Sequence, residues 1–285
     1  MTTENVKKTV EKKKHKITAA SIINKVFLWI FLVLTLAPAY VMVVNSFKTQ
    51  GQLLDGVLLP AFPLFLPNYL KAFNAIAPNI WNSITITVCS TAGVTFIAAL
   101  TGYAFGHFKF KFKELLFGVI LINMMIPAVL TMVPSYMIVI KLGLFDTQLA
   151  LFLPYISTGS VMGIYLVRGF VEQLPNEVFE AAKIDGIDEF RSFIYIAMPL
   201  IKTILTTVSI LAMLNFWNDI VWPMLVLDSD NIQTIPLGLL EFNQQQGANK
   251  GALFAGYILS SLPLLAYFVL NLRSFMDSLV EGAIK

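Results

Sequence analysis

Acidic side chains gather in one short polar segment of this chain: Glu177, Glu180, Asp185, Asp188 and Glu189, with Lys183 among them. Carboxylates so placed can cap short helices or pair with cations on a partner. Elsewhere charge is scarce. Asp219 is the only charged residue well inside an apolar stretch, and carboxylates there are functional candidates by default. His15 and His107 sit among lysines in polar segments, a setting for solvated side chains rather than metal ligands. Cys89 is the single cysteine, so no disulfide can close within the chain and no CxxC can hold zinc. HExxH, nucleophile-elbow and paired intramembrane acids are absent, as is the GxxxxGK[ST] phosphate loop. The residues therefore offer no catalytic group, no metal site, no cofactor site and no ATP hydrolysis through that loop. The uncharged candidates are amides. Asn82, Asn123 and Asn215 could line a polar path, and Asn243, Gln244, Gln245 and Gln246 form an amide-rich run.

The elements that must position these groups follow from composition. Of 285 residues, 57% are hydrophobic and only 13% charged, with a mean hydropathy of +0.74. A soluble domain carries about a quarter charged residues, so the solvent here is lipid. The net charge of +3 is too small to argue for nucleic acid. Apolar stretches long enough to cross about 30 Å of hydrocarbon occupy residues 26–44, 80–105, 115–140, 148–167, 203–227 and 251–272. Backbone polar groups in lipid must be satisfied within the segment, which makes these six transmembrane helices of an all-α membrane protein. Pro38, Pro127, Pro134, Pro154 and Pro263 interrupt them and predict kinks. The first stretch is long for a signal peptide and has no small-residue cleavage site after it, so it reads as a retained helix. Of the 20 lysines and arginines, all but Lys48, Lys71, Lys141 and Lys250 fall on the side of the N-terminus. That asymmetry predicts that both termini are cytoplasmic. Residues 1–24 are expected to be a basic, unstructured tail and residues 25–285 a single membrane domain. The external run 58–67 is apolar but broken by prolines. It suits an interfacial or partner-contacting strap, or equally a loop packed on its own helices.

The acidic segment lies in the longest cytoplasmic loop, residues 169–202. Pro175 and Asn176 start a helix, with Glu177 and Glu180 near its N-terminal dipole. Gly186 suits the left-handed residue that closes it, and Asp188 can cap a second helix running toward Pro199 and the fifth span. Val178, Ala181, Ala182 and Ile184 give the first helix a small, apolar side that could enter a groove on a partner. A loop that merely joins two spans explains the same pattern as well.

The run Glu180-Ala181-Ala182-Lys183-Ile184-Asp185-Gly186, followed by Ile196-Ala197-Met198-Pro199, resembles the EAA loop of bacterial ABC import permeases, with Met198 where that family has leucine. Asn45-Ser46-Phe47-Lys48, Pro67-Asn68-Tyr69, Gly143-Leu144-Phe145-Asp146-Thr147, Phe216-Trp217-Asn218-Asp219 and Thr234-Ile235-Pro236-Leu237-Gly238-Leu239 extend the resemblance over residues 25–285. Together they resemble the smaller transmembrane subunit of maltose-type carbohydrate importers. The C-terminal residues follow that branch's ending, though Asp277-Ser278 departs from its usual glycine. The resemblance implies the type I ABC importer permease fold in a prokaryotic cell membrane. It implies a second homologous permease, two ATPase subunits, an extracytoplasmic sugar-binding protein and the surrounding lipid as partners. Glu180, Ala181, Ala182, Asp185 and Gly186 would dock on an ATPase, and the 243–246 run would match the loop that reaches the binding protein.

Competing assignments remain for several residues. Asp219 lies beside Trp217 and Trp222, where a cap or outer gate suits it better than sugar contact. Asparagines between spans more often join helices than bind solute, and the 243–246 run suits an ordinary solvated loop as well. A secondary, ion-coupled transporter would need further intramembrane carboxylates and inverted repeats, which the chain does not display. An ABC importer for a solute other than sugar is a further alternative.

Overall fold

The computed structural model describes residues 19–246 and 249–283, and among them there is no strand. Most of the basic tail, and residues 247–248 of the amide-rich segment, lie outside the described residues. Helix α1 (Ala19–Ser46) begins several residues before the expected tail boundary. Every residue from 22 to 40 is exposed, whereas Asn45 and Ser46 at its end are buried and the helix contacts α12. A short helix, α2 (Gln50–Leu54), follows, started by a capping box between Thr49 and Gln52. Then comes α3 (Pro67–His107), 41 residues long. At 1.5 Å per residue it measures about 60 Å and must project well beyond the hydrocarbon.

The third apolar stretch is not one helix. It divides into α4 (Lys113–Met125) and α5 (Ala128–Lys141), bent by 100° at the break. Pro127 explains the break. It lacks an N–H and disfavours the helical conformation for the residue before it, and Ile126 is accordingly extended, at φ −83° and ψ 118°. The two arms, about 20 and 21 Å long, then span about 26 Å end to end. Among the described residues, five helices are long and apolar enough to cross a membrane, or six if this bent pair is one crossing. Pro38, Pro134, Pro154 and Pro263, by contrast, are carried inside continuous helices.

Helices α6 (Leu149–Val171) and α9 (Met198–Trp217) complete the core against α3. Small residues set the closeness of α3 and α6. A Cβ added at Gly102 would lie 2.6 Å from Val167, and one at Gly163 only 2.7 Å from the Cβ of Ala98. Without a hydrophobic drive inside lipid, such backbone approach is what packs membrane helices. Between α6 and α9 lie α7 (Asn176–Ile184), α8 (Glu189–Ser192) and one wide π-type turn, Phe193–Ala197. From Glu189 to Trp217 the helix is continuous enough to count as one span.

The fifth apolar stretch also departs from expectation. The helix stops at Trp217, and after residues 218–220 a short helix, α10 (Val221–Val226), begins. The final elements are α11 (Ile235–Gln246) and α12 (Lys250–Ala283). The amide-rich run, expected as a loop, is helical through Gln246 because Phe242 is buried and anchors its face against α12.

Polar ties fasten both ends of the bundle. At the end that carries α7, the Arg168 Nη2 donates to both oxygens of Glu114, at 2.8 and 2.9 Å, and its Nε to Glu172 at 2.8 Å. The guanidinium also lies 3.9 Å from the Phe117 ring centre. At the opposite end, Asp146 accepts from the backbone of Asp228 and Ser229, at 2.8 and 2.9 Å, and from the Ser229 hydroxyl. These donors hold the Asp146 carboxyl below its ordinary range, the Ser229 hydroxyl contributing most.

Candidate functional site

Two sites stand out, one at each level of the bundle. The first is α7. Its closing turn is set by Gly186, whose φ of +77° is left-handed and nearly free of cost only for glycine. With that residue in place, the Gly186 N–H donates to the Lys183 carbonyl at 3.2 Å and the Ile187 N–H to the Ala182 carbonyl at 3.0 Å. This is the paired bond pattern of a Schellman cap. The next helix starts as its sequence predicts: the Asp188 carboxylate accepts from the Arg191 N–H at 2.8 Å.

α7 has two distinct faces. Phe179 and Ala182, one helical turn apart, are buried. The Phe179 ring lies 4.5 Å from the imidazole of His107 and 6.2 Å from Tyr103, at the end of α3. Tyr103 in turn stacks on His107 at 5.0 Å and meets Phe193, in the turn before α9, at 5.1 Å. One aromatic cluster therefore joins α7 to both α3 and the fifth span. The outward face carries Glu177, Val178, Glu180, Ala181, Ile184 and Asp185, all exposed, with Ile184 at 86%. This corrects one assignment. Ala182 does not belong with Val178, Ala181 and Ile184 on the outward side, because Phe179 draws its face onto the bundle. The sequence reading missed Phe179; its signal was an aromatic one turn before Ala182 in an otherwise polar helix.

The second site is a cavity of about 300 Å³ between α5, α6 and the end of α9. It brings together two of the four predicted path residues, Asn215 and Asp219. Asp219 sits at the helix break, where its Oδ1 accepts from the N–H groups of Val221 (3.1 Å) and Trp222 (3.4 Å), capping α10. Its Oδ2 accepts from the Tyr155 hydroxyl at 2.8 Å. Tyr155 stacks on Phe216 at 4.5 Å, and Trp222 donates from its indole to the Ala150 carbonyl at 2.9 Å. Thr131, Ser135 and Thr158 add hydroxyls to the wall. The carboxylate is thus engaged by three donors. What the cavity offers a solute is aromatic faces, hydroxyls and an amide. Tyr155 and these hydroxyls escaped notice because single hydroxyls in apolar runs carry no spacing signal.

The other two path residues lie elsewhere. Asn82 donates to the carbonyls of Asn231 (2.8 Å) and Gln233 (3.1 Å), pinning that loop to α3. Asn123 is exposed near the α4–α5 elbow and returns its amide to the Val119 and Ile120 carbonyls. In the amide run, Asn243 is half-buried, Gln244 is exposed, and Gln245 donates to Glu241 at 2.8 Å. The side chain of Gln246 lies outside the described residues. Among the described residues, no group of three or more His, Cys, Asp or Glu side chains could hold a metal ion.

Residues 98–279 match the family described as binding-protein-dependent transport system inner membrane component. The chain is 31% identical over 263 residues to a putative ABC transporter permease protein, ORF2, of Caldicellulosiruptor sp. (strain Rt8B.4), covering 91% of this chain and 95% of that one. It is 30% identical to the lactose transport system permease protein LacG of Rhizobium radiobacter, over 88% and 92% of the two chains. It is 31% identical to the arabinooligosaccharides transport system permease protein AraQ of Halalkalibacterium halodurans, over 87% and 90%. Its fold matches a chain in the crystal structure of a bacterial ABC transporter involved in the import of the acidic polysaccharide alginate, with a TM-score of 0.78 at 21% identity, over 89% and 95% of the two chains.

Proposed function

Because the chain belongs to the family of binding-protein-dependent transport system inner membrane components, we propose that it forms half of a sugar translocation path and takes its drive from ATPase subunits through α7. The premise is plain: it is a multi-pass permease subunit of an ABC transporter in a prokaryotic plasma membrane. The observation that carries the proposal is the two-faced α7. One face is fixed to α3 by aromatic rings and, through Tyr103, reaches Phe193 just before α9, while the other presents Glu180, Ala181 and Ile184 to solvent. A loop that only joined two spans would need neither the rigid stop at Gly186 nor an exposed isoleucine. Docked in a cleft on an ATPase, α7 would carry movement into the ends of two membrane helices. A second homologous permease completes the path, two ATPases bind the α7 side, and an extracytoplasmic sugar-binding protein delivers solute at the other. Residues 25–285 act as one membrane domain in this arrangement, with both termini in the cytoplasm, an orientation that the lysine and arginine asymmetry supports.

The solute is a neutral carbohydrate. The relatives named for lactose and arabinooligosaccharides support this class. So does the cavity, whose aromatic faces and hydroxyls suit sugar rings, and whose one carboxylate already holds three hydrogen bonds. Glu180→Lys reverses the charge of an exposed side chain of α7. The test is co-purification of the ATPase subunits together with sugar uptake. Loss of either, with normal membrane insertion and permease pairing, is the expected result. Normal retention and normal uptake would sink the α7 assignment.

A further inference from the structure

The helix break after Trp217 has two sides, and the cavity at Asp219 occupies only one of them. Asn215, Phe216 and Asp219 line that first cavity. Their neighbours Trp217 and Asn218 line a second, of about 450 Å³, between the end of α9, α11 and α12. α9 has 20 residues, which places this cavity about 30 Å from the α7 end of the bundle. No charged side chain lines it.

Two rings, two amides and two hydroxyls stand on its wall: Trp217, Tyr257, Asn218, Asn243, Ser260 and Ser261. Trp217 is only 4% exposed and packs in a buried cluster with Ile76 and Phe242. Burial fixes its ring, yet its indole N–H makes no hydrogen bond among the described residues. The Tyr257 hydroxyl and the Asn243 side-chain amide are likewise without a hydrogen-bond partner among them. Asn218 Nδ2 donates to the Leu214 carbonyl at 2.7 Å, which leaves the amide oxygen to accept. Ser260 and Ser261 donate to the carbonyls of Tyr257 and Ile258, each at 2.8 Å, and keep their lone pairs.

A polar group on a buried residue is rarely left unpaired, so the Trp217 N–H calls for a cavity occupant that accepts. The wall as a whole combines free donors with free acceptors. A molecule rich in hydroxyls needs both, because each hydroxyl donates and accepts. The indole and the phenol add apolar faces for the C–H side of a sugar ring. The volume falls within the roughly 300–1,000 Å³ of small-molecule sites. Without a fixed charge on the wall, nothing there balances an anion or a cation.

We propose that this cavity is a second carbohydrate site, which receives one neutral sugar ring on the side of the helix break away from Asp219. Trp217, Tyr257 and Asn243 donate to the sugar oxygens, while Asn218 and the two serines accept from its hydroxyls. The break is then a wall shared by two sugar sites rather than the edge of one. Asn243 acts on the solute and not on the binding protein. The inference rests on the reading of the chain as a sugar permease and deepens it by naming a further site.

The test is hydroxyl-radical footprinting of the assembled transporter in nanodiscs, read by mass spectrometry. Met42 and Tyr257, both on the cavity wall, report occupancy, and Trp81, 70% exposed on α3, reports radical dose. Lactose and arabinotriose at millimolar concentration are the probes, with mannitol at equal concentration as the open-chain control for scavenging. The expected result is severalfold less oxidation at 42 and 257 with at least one sugar than with mannitol, while Trp81 is unchanged. Asn243→Ala and Tyr257→Phe should each lose the protection at Met42 while still assembling with the ATPase subunits. Equal oxidation in sugar and mannitol would overturn the second site; if either sugar is nonetheless taken up, the sugar reading survives it. Uptake of an amino acid or peptide but of neither sugar would overturn the sugar reading and this site with it. Residues 42 and 257 that resist oxidation even without sugar would mean that a protein partner fills the cavity, which would also overturn the proposal.

Discussion

Replacing Gly186 isolates the closing turn of α7 from everything around it. No atom lies within 4 Å of where a Cβ would be, so a side chain there meets open space and the whole penalty is backbone strain at φ +77°. For an L-residue the left-handed conformation costs about 1–2 kcal/mol; asparagine tolerates it best, and a β-branched residue worst. Escaping the strain by moving the backbone breaks the Gly186 and Ile187 cap bonds instead. α7 has only 9 residues, too few to hold a helix alone, so it cannot absorb the loss. A penalty of 1–2 kcal/mol lowers the population of the properly ended helix roughly 5- to 30-fold. ATPase retention and sugar uptake should therefore fall in the order Gly, Asn, Ala, Val at position 186. Hydrogen exchange at the amides of 186 and 187 should rise in the same order. Equal retention, uptake and exchange in Gly186→Val and Gly186→Asn would refute the reasoning, because the two differ chiefly in their tolerance of this φ.

Three further outcomes are expected. Gly102→Val drives a Cβ to within 2.6 Å of Val167, an overpacking cost of about 1–3 kcal/mol, so the thermal midpoint of the detergent-solubilised complex should drop, whereas Gly118→Ala, with open space around it, should leave it unchanged. Tyr155→Phe removes the donor to Asp219, a charged hydrogen bond worth about 1.5–3 kcal/mol; uptake should fall about tenfold or more while ATPase retention stays normal. Asp146 has a folded pKa below its unfolded value, so its stabilisation is complete above the unfolded value of about 3.9 and is lost as pH falls through the depressed one. Exchange at the amides of Asp228 and Ser229 should accelerate in that acid window, and Asp146→Ala should abolish the pH dependence.

The crossings were legible because lipid imposes length and composition on a helix, and α1, α3, α6, α9 and α12 meet both demands. The Gly186 turn and the Asp188 cap were legible because each depends on one residue type at one place. What periodicity could not supply was the orientation of α7. Its outward alanine and its inward alanine are neighbours in sequence, and only the ring of Phe179 on His107 decides which of them faces the bundle. Asn82 shows the same limit. An asparagine in an apolar run is equally a solute contact or a pin, and the choice rests on the carbonyls of Asn231 and Gln233, about 150 residues away in sequence.

The two apolar stretches that failed to form single helices deserve one explanation, since both failures border the same cavity. The α4–α5 elbow brings Ala128 and Thr131 to its wall, and the break after Trp217 brings Asn215 and Asp219. Freed backbone groups are expensive in hydrocarbon and persist at membrane depth only where protein or a water-filled space receives them. At the second break the receiver is visible: Asp219 accepts the N–H groups of Val221 and Trp222, and Tyr155 completes its hydrogen bonding. At the first, Pro127 removes a donor outright, so the elbow has one fewer group to satisfy. A chain that only needed to fill a bilayer would gain nothing from either interruption. Placed together, they open a space lined by hydroxyls and rings between helices that are otherwise tightly packed. The departures from simple helical expectation thus fall where a solute could pass, as expected when local rules give way at a functional site.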